Sequence, residues 1–238
     1  MIDWKEQHVV VIADFLNHLN KQTSDFVLKG GTSLLMCYGL DRFSEDIDLD
    51  STLQHSNVIK KAVASFCEFY GYTFRTAMDM DTVKQYMIDY GNENSKKLKV
   101  EVSFRKKQID RSEYTKINGI TVYSIDVICI MKACAYLNRD RIRDLYDLSF
   151  IFNKYYEQLS PQTILQLRNA IQYKGIEQFD YLICTQKDEL VNENKLTEAF
   201  LRIYDGLGLL SDSDEKEMRE KFTNDEQSEE DDDFEIEL

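Results

Sequence analysis

The residues of this chain best suited to chemistry lie in residues 29–50, KGGTSLLMCYGLDRFSEDIDLD. The run opens on Lys29-Gly30-Gly31-Thr32-Ser33. Paired glycines let a backbone come close to a ligand, because no side chain stands in the way. A helix that begins directly after them presents free N–H groups and a favourable dipole to a phosphate. Thr32 and Ser33 add hydroxyl donors. A Gly-Gly turn before a helix is also an ordinary structural feature, so this element alone only suggests an anion.

The same run closes on Asp46-Ile47-Asp48-Leu49-Asp50. Strand residues two apart share a face, which sets Asp46 and Asp48 side by side while Ile47 and Leu49 pack on the other side. Two parallel carboxylates repel one another unless a cation lies between them. A divalent metal is the usual reason to build such a pair; an exposed acidic edge strand is the alternative. Asp50 either extends the acidic face or forms the exit of the strand. Further on, Glu101 stands among Val100 and Val102 in LKVEVSF. It either lies beside Asp46 and Asp48 on a sheet or faces outward, alternating with Lys99 and Ser103.

A third group sits later. Lys132 is surrounded by Ile130, Met131, Ala133 and Cys134, and a lysine in such company needs an acidic or phosphate partner. Asp144 and Asp147 in RIRDLYDL are three apart, on one helix face. They serve either at the same site or in a salt-bridged helix surface, with Arg143 able to reach Asp147 at i,i+4. Basic residues Arg105, Lys106, Lys107 and Arg111, and again Arg139, Arg141 and Arg143, could follow a nucleic-acid backbone or form a solvated face.

The elements that must position these residues follow from periodicity. Val9, Ile12, Phe15, Leu16 and Leu19 predict an amphipathic helix over 3–20. Residues 25–28 form a short strand into Gly30-Gly31, 32–38 a helix, 46–50 a strand, and 56–70 a helix capped by Ser56 or Asn57. Alternation predicts strands at 72–78, 83–90 and 98–104, with Gly91-Asn92 at a hairpin. Beyond Val122 the pattern is helical: 124–138 with Ser124 as cap, then 141–153. Ser160-Pro161 starts another helix, and further stretches follow at 176–191 and 195–204. The expected fold is α+β. A mixed sheet with flanking helices occupies residues 1–123, a helical bundle 124–210 packs against it and completes the site, and an acidic tail spans 211–238.

Bulk composition narrows the function classes. The chain has 238 residues, 43% hydrophobic and 12% aromatic, enough to bury a sizeable core. Five cysteines, Cys37, Cys67, Cys129, Cys134 and Cys184, show no CxxC pair. That argues against zinc or a disulfide framework and for a reducing cytoplasm. Only His8, His18 and His55 are present, so a metal here would be held by carboxylates, which favours Mg²⁺ or Mn²⁺. The N-terminus lacks signal-peptide order, and no apolar run nears the roughly 18 residues of a membrane span. The net charge is −14, but residues 211–238 hold 14 acidic against 3 basic side chains, a net of −11, leaving −3 for the remainder. An acidic protein by its total is therefore nearly balanced in its body. The tail is either a solvated terminus or an interaction segment for a basic partner or a basic groove of its own body.

Taken together, the order of glycine turn, helix, acid-x-acid strand and later strand with one acid resembles the polymerase-beta-like nucleotidyltransferase superfamily. KGGTSL, RFSEDIDLD, and Lys132 followed by RIRDLYDL more closely resemble the AbiEii/AbiGii-type nucleotidyltransferase toxins of abortive-infection toxin–antitoxin systems, over roughly residues 25–152. The gap from Gly31 to Asp46 exceeds the minimal superfamily pattern and places the loop 38–42 beside the site. The resemblance implies a polymerase-beta-like sheet, a Mg²⁺ or Mn²⁺ site on Asp46, Asp48 and Glu101, and an NTP substrate. Glu101 would also help deprotonate the acceptor. Lys29, Gly30, Gly31, Thr32, Ser33, Arg42 and Lys132 would hold the nucleotide, and Lys132 and Asp144 would join the catalytic set. The implied acceptor is tRNA or another RNA, and the implied partner an antitoxin with a winged-helix domain, in phage defence. A protein or aminoglycoside acceptor, or a non-catalytic binding module, are the alternatives.

Overall fold

The computed structural model describes residues 3–53, 57–91, 96–189 and 191–210. The expected acidic tail, and the Ser56 and Asn92 expectations, lie outside them.

A seven-stranded mixed sheet runs in the order β3-β4-β5-β2-β1-β7-β6. Its centre is β1 (Phe26–Lys29), β2 (Asp46–Ser51) and β5 (Leu98–Ser103). β2 pairs antiparallel with β1 and parallel with β5. Strands β3 (Thr73–Asp79) and β4 (Val83–Asp89) extend one side, close to the predicted alternation. The other side is a hairpin of β6 (Tyr114–Ile117) and β7 (Ile120–Tyr123), which the sequence reading left without an assignment. Its turn is Asn118-Gly119, with φ of 51° and 83°, the positive-φ pair that a tight hairpin favours.

One face of the sheet is apolar. Ile47, Leu49, Val100 and Val102 are fully or almost fully buried, and helices α1 (Trp4–Gln22) and α3 (Val58–Tyr70) pack on that side of the molecule. α1 buries Val11, Ile12, Phe15, Leu16 and Leu19 and is capped by Asp3, whose side chain accepts from the Lys5 N–H. Asn57 stands at the cap position of α3 but makes no side-chain capping bond.

After β1 the chain turns at once into the short helix α2 (Gly30–Ser33), which continues as a π-helical turn, Leu34–Tyr38, and ends at Gly39. The helical half consists of α4 (Ile125–Asn138), α5 (Ile142–Tyr155), α6 (Pro161–Thr185) and α7 (Glu193–Gly206). Ser124 and Ser160 cap α4 and α6 as expected, each accepting from a backbone N–H of the first turn. The predicted stretch 176–191 is instead the second part of α6, broken at Gly175 and ended at Thr185. One apolar cluster reaches from α1 through the sheet to α7, so the boundary expected at residue 123 is not a break in the core.

Candidate active site

The polar face of the sheet is built by register. Asp48 lies directly across from Glu101 on β5, and Asp46 from Lys99. On the other side Asp48 lies across from Lys29 of β1. Strand alternation therefore puts Asp46, Asp48, Asp50, Glu101, Lys29 and Lys99 on one surface. They line a cleft of about 810 Å³ between the sheet and α4–α5, within the size range of small-molecule sites. Gly30, Gly31, Ser44 and Glu45 close one end, and Met131, Lys132, Asn138, Arg139, Arg141, Arg143 and Asp144 form the far wall.

The carboxylates have different surroundings. Asp50 is spent internally: Lys29 Nζ is 2.5 Å from it, and the Tyr123 hydroxyl donates to it at 3.0 Å. It is buried, so it anchors the strand and does not extend the open acidic row. Asp46 receives Lys99 Nζ at 2.7 Å, and Glu101 accepts from Gln85 Nε2 at 3.2 Å. Burial raises the Asp48 carboxyl above its ordinary value; Lys99 pulls it down, and the charges of Asp46 and Glu101 push it up further.

The glycines act through geometry. Gly30 has φ +77°, and a Cβ there would lie 3.0 Å from Asp48 Oδ2. A Cβ on Gly31 would meet Arg42 Nη2 and Ser44 Oγ, each at 2.9 Å. The turn is thus pressed against the acidic strand, as the run KGG suggested. The hydroxyls do not follow the expectation. Thr32 and Ser33 are buried; Thr32 donates to the Asp46 carbonyl and bonds Ser44, and Ser33 donates to the Gly30 carbonyl. Thr32 fastens the turn to β2 and Ser33 closes the turn on itself, because a buried hydroxyl takes the nearest backbone acceptor. These hydroxyls do not line the cleft.

On the far wall, Lys132 is buried and finds the acids it needs: Asp144 at 3.2 Å and Asp147 at 2.6 Å. Arg139 joins Asp144 through Nε at 2.6 Å and Nη2 at 3.0 Å. Burial would raise the Asp144 carboxyl, but Arg139 and Lys132 outweigh it and hold it below the ordinary value. Asp147 does not pair with Arg143. It takes two 2.7 Å bonds from Arg42, while Arg143 binds Asp188. Arg42, expected at the nucleotide, lines the cleft but gives these two bonds to Asp147 and a third to the Phe43 carbonyl. Of the basic clusters, Arg105, Lys106, Arg139, Arg141 and Arg143 reach the cleft; Lys107 and Arg111 do not line it. Arg105 and Arg141 are exposed, and among the described residues their side chains make no hydrogen bond or ion pair.

Among the described residues, no three His, Cys, Asp or Glu side chains close around one point. On this face the Lys99 ammonium lies 2.7 Å from Asp46 and 3.9 Å from Glu101. The donor set still suits a hard divalent ion, since all three are carboxylates on adjacent positions of paired strands. All five cysteines are free, and among the described residues no helix is long and apolar enough to cross a membrane.

A search of curated protein sequences finds no match. Among solved structures, a candidate nucleotidyltransferase from H. pylori superposes with a TM-score of 0.72 at 27% identity, covering 91% of this chain and 98% of that one. JHP933 from Helicobacter pylori gives 0.71 at 25%, covering 94% and 99%. MenT4, a nucleotidyltransferase toxin of Mycobacterium tuberculosis H37Rv, shares the fold at a TM-score of 0.51 and 17% identity, covering 87% and 85%. The family model for the AbiEii nucleotidyl transferase toxin of type IV toxin–antitoxin systems matches residues 14–235. With nearly the whole length matched, the chain belongs to the AbiEii family of nucleotidyltransferase toxins.

Proposed function

We propose that this nucleotidyltransferase moves a nucleoside monophosphate from an NTP to a hydroxyl of an RNA acceptor, tRNA first among them, with Mg²⁺ or Mn²⁺ held by Asp46, Asp48 and Glu101. The observation that carries the reading is the register of β2 on β5, which sets Glu101 beside Asp48 and one step from Asp46 on the cleft face. Bound there, the metal would neutralise charge on the attacking and leaving oxygens.

The rest is done by the chain's own groups. The Gly30-Gly31 turn lets the triphosphate approach the acidic strand. Lys132, held by Asp144 and Asp147, presents a positive charge from the opposite wall. Glu101 takes the proton of the acceptor hydroxyl. The acceptor oxygen then bonds to the α-phosphorus in line, the bond from that phosphorus to the bridging oxygen breaks, and pyrophosphate leaves. Metal ligands thus come from the sheet half and the nucleotide clamp from the helical half. Arg105 and Arg141, exposed at the cleft without partners among the described residues, suit a phosphate backbone entering from outside. In this reading transfer to tRNA arrests growth during phage infection, and a winged-helix antitoxin is the expected cognate partner.

The test is incubation of the full chain with Mg²⁺, radiolabelled NTPs and total cell extract, resolved on gels before and after RNase. Label in an RNA band that RNase removes is the expected result. Label that resists RNase and follows protein, or migrates with a small molecule such as an aminoglycoside, replaces the acceptor. Mg²⁺-dependent NTP binding with no labelled product makes the chain a binding module.

A further inference from the structure

Lys99 has no part in the site as the family resemblance describes it, yet it occupies the centre of the acidic row. Its position is a product of sheet register. β5 runs parallel to β2, Lys99 lies directly across from Asp46, and Glu101 two residues on lies across from Asp48. Val100 and Val102 are fully buried on the opposite face, so the Lys99 side chain is committed to the cleft side. Its neighbours on β4 are Met87, across from Lys99 itself, and Gln85, across from Glu101. Neither competes for the ammonium with a charge.

The ammonium is 2.7 Å from Asp46 Oδ2 and 3.9 Å from Glu101 Oε2. The second lysine of this face, Lys29, is already engaged by Asp50 at 2.5 Å. Among the described residues the Asp48 side chain makes no hydrogen bond or ion pair of its own. Lys99 is therefore the cation seated on this row, in contact with Asp46 and within 3.9 Å of Glu101.

We infer that Lys99 is a positioning residue that stands in for the divalent ion and makes metal binding depend on nucleotide. The inference rests on the metal reading proposed above. An ammonium and a divalent ion cannot both sit against Asp46 and Glu101, because they repel at that range. A metal arriving alone must displace Lys99 into water and lose that ion pair. A metal arriving with a triphosphate brings the lysine a replacement partner, since Lys99 lines the same cleft and a flexible ammonium is a good point contact for phosphate. The lysine thus moves from carboxylate to phosphate as the metal enters.

The test is Mn²⁺ binding to the full chain, followed by the electron paramagnetic resonance of free Mn²⁺, with and without a non-hydrolysable NTP analogue, whose own Mn²⁺ binding is subtracted. Without nucleotide, Lys99→Met is expected to bind Mn²⁺ about tenfold more tightly than the unaltered chain, the scale of one partly buried ion pair. The analogue should tighten Mn²⁺ binding by a larger factor in the unaltered chain and in Lys99→Arg than in Lys99→Met. Equal or weaker Mn²⁺ binding by Lys99→Met without nucleotide overturns the inference. Lys99→Gln takes its place if the methionine variant does not fold. Asp48→Asn separates the two levels: if it leaves Mn²⁺ binding unchanged with the analogue present, the carboxylates do not hold the ion and the metal reading falls as well.

Discussion

Arg42 and Asp147, 105 positions apart in sequence, are joined by two hydrogen bonds of 2.7 Å with almost no exposure to solvent on either side. The pair ties the loop before β2 to α5, and so ties the wall that carries the proposed metal ligands to the wall that carries Lys132. Asp147 also holds Lys132 at 2.6 Å, which leaves one buried carboxylate shared by two buried cations.

Removing that carboxylate strands both cations. Asp147→Ala is expected to lower unfolding stability by about 3–5 kcal/mol, the usual cost of breaking a buried pair from one side. Urea unfolding followed by circular dichroism measures it. A loss under about 1 kcal/mol, the range of exposed pairs, would show that the bridge is solvent-screened.

In the proposed mechanism Lys132 connects this network to the nucleotide. Lys132→Met is expected to raise KM for NTP and lower kcat together. Lys132→Arg should recover only part, because the planar fork does not reproduce a point charge seated between Asp144 and Asp147. Steady-state kinetics of NMP transfer read both. Unchanged constants in Lys132→Met would remove the clamp from the mechanism.

The glycine turn gives a third expectation. Gly30→Ala forces a side chain into a left-handed conformation, φ +77°, against Asp48 Oδ2 at 3.0 Å. The backbone term alone costs about 1–2 kcal/mol, and the displaced carboxylate should reduce transfer more than stability. Measuring melting temperature and activity on one preparation separates the two effects.

His8 sets a pH dependence. Its Nε2 lies 2.7 Å from the Glu45 carbonyl, which can only accept, so Nε2 carries the proton and Nδ1 accepts from the Tyr90 hydroxyl at 2.5 Å. Burial lowers its pKa, against the raising effect of Glu45. A histidine whose folded value lies below the unfolded value of about 6.5 favours the fold while neutral, so stability is full above that value and falls as pH drops through it toward the folded value. Asp144, held low by Arg139 and Lys132, adds a loss of the same sign further down, below about pH 4 where an unfolded aspartate begins to protonate. Urea midpoints between pH 8 and pH 5 should decline for the unaltered chain and stay flatter for His8→Gln. An equal decline in both would assign the effect elsewhere.

Much of the site was legible because its parts are local. Asp46 and Asp48 share a face by strand alternation alone, and the Ser124 and Ser160 caps are four-residue signals. What escaped depends on pairings distant in the chain. The register of β5 on β2 decides that Lys99 meets Asp46, whereas its alternation with Glu101 alone is equally consistent with a solvated face. Arg143 could reach Asp147 on the same helix, but the tertiary partners Arg42 and Asp188 won. Thr32 and Ser33 look like phosphate donors until burial commits their hydroxyls to the backbone. The β6–β7 hairpin does carry a local signal, Asn118-Gly119 between two short runs rich in β-branched and aromatic residues.

The central claim, that the acidic row on β2 and β5 performs nucleotidyl transfer, is tested most directly by comparing Asp48→Asn with the unaltered chain. Both are incubated with Mg²⁺, radiolabelled NTPs and cellular RNA, after circular dichroism has shown that both are folded. Labelled RNA from the unaltered chain, and a loss of about a thousandfold or more in Asp48→Asn, is the predicted result. Equal labelling by the two proteins would contradict the account.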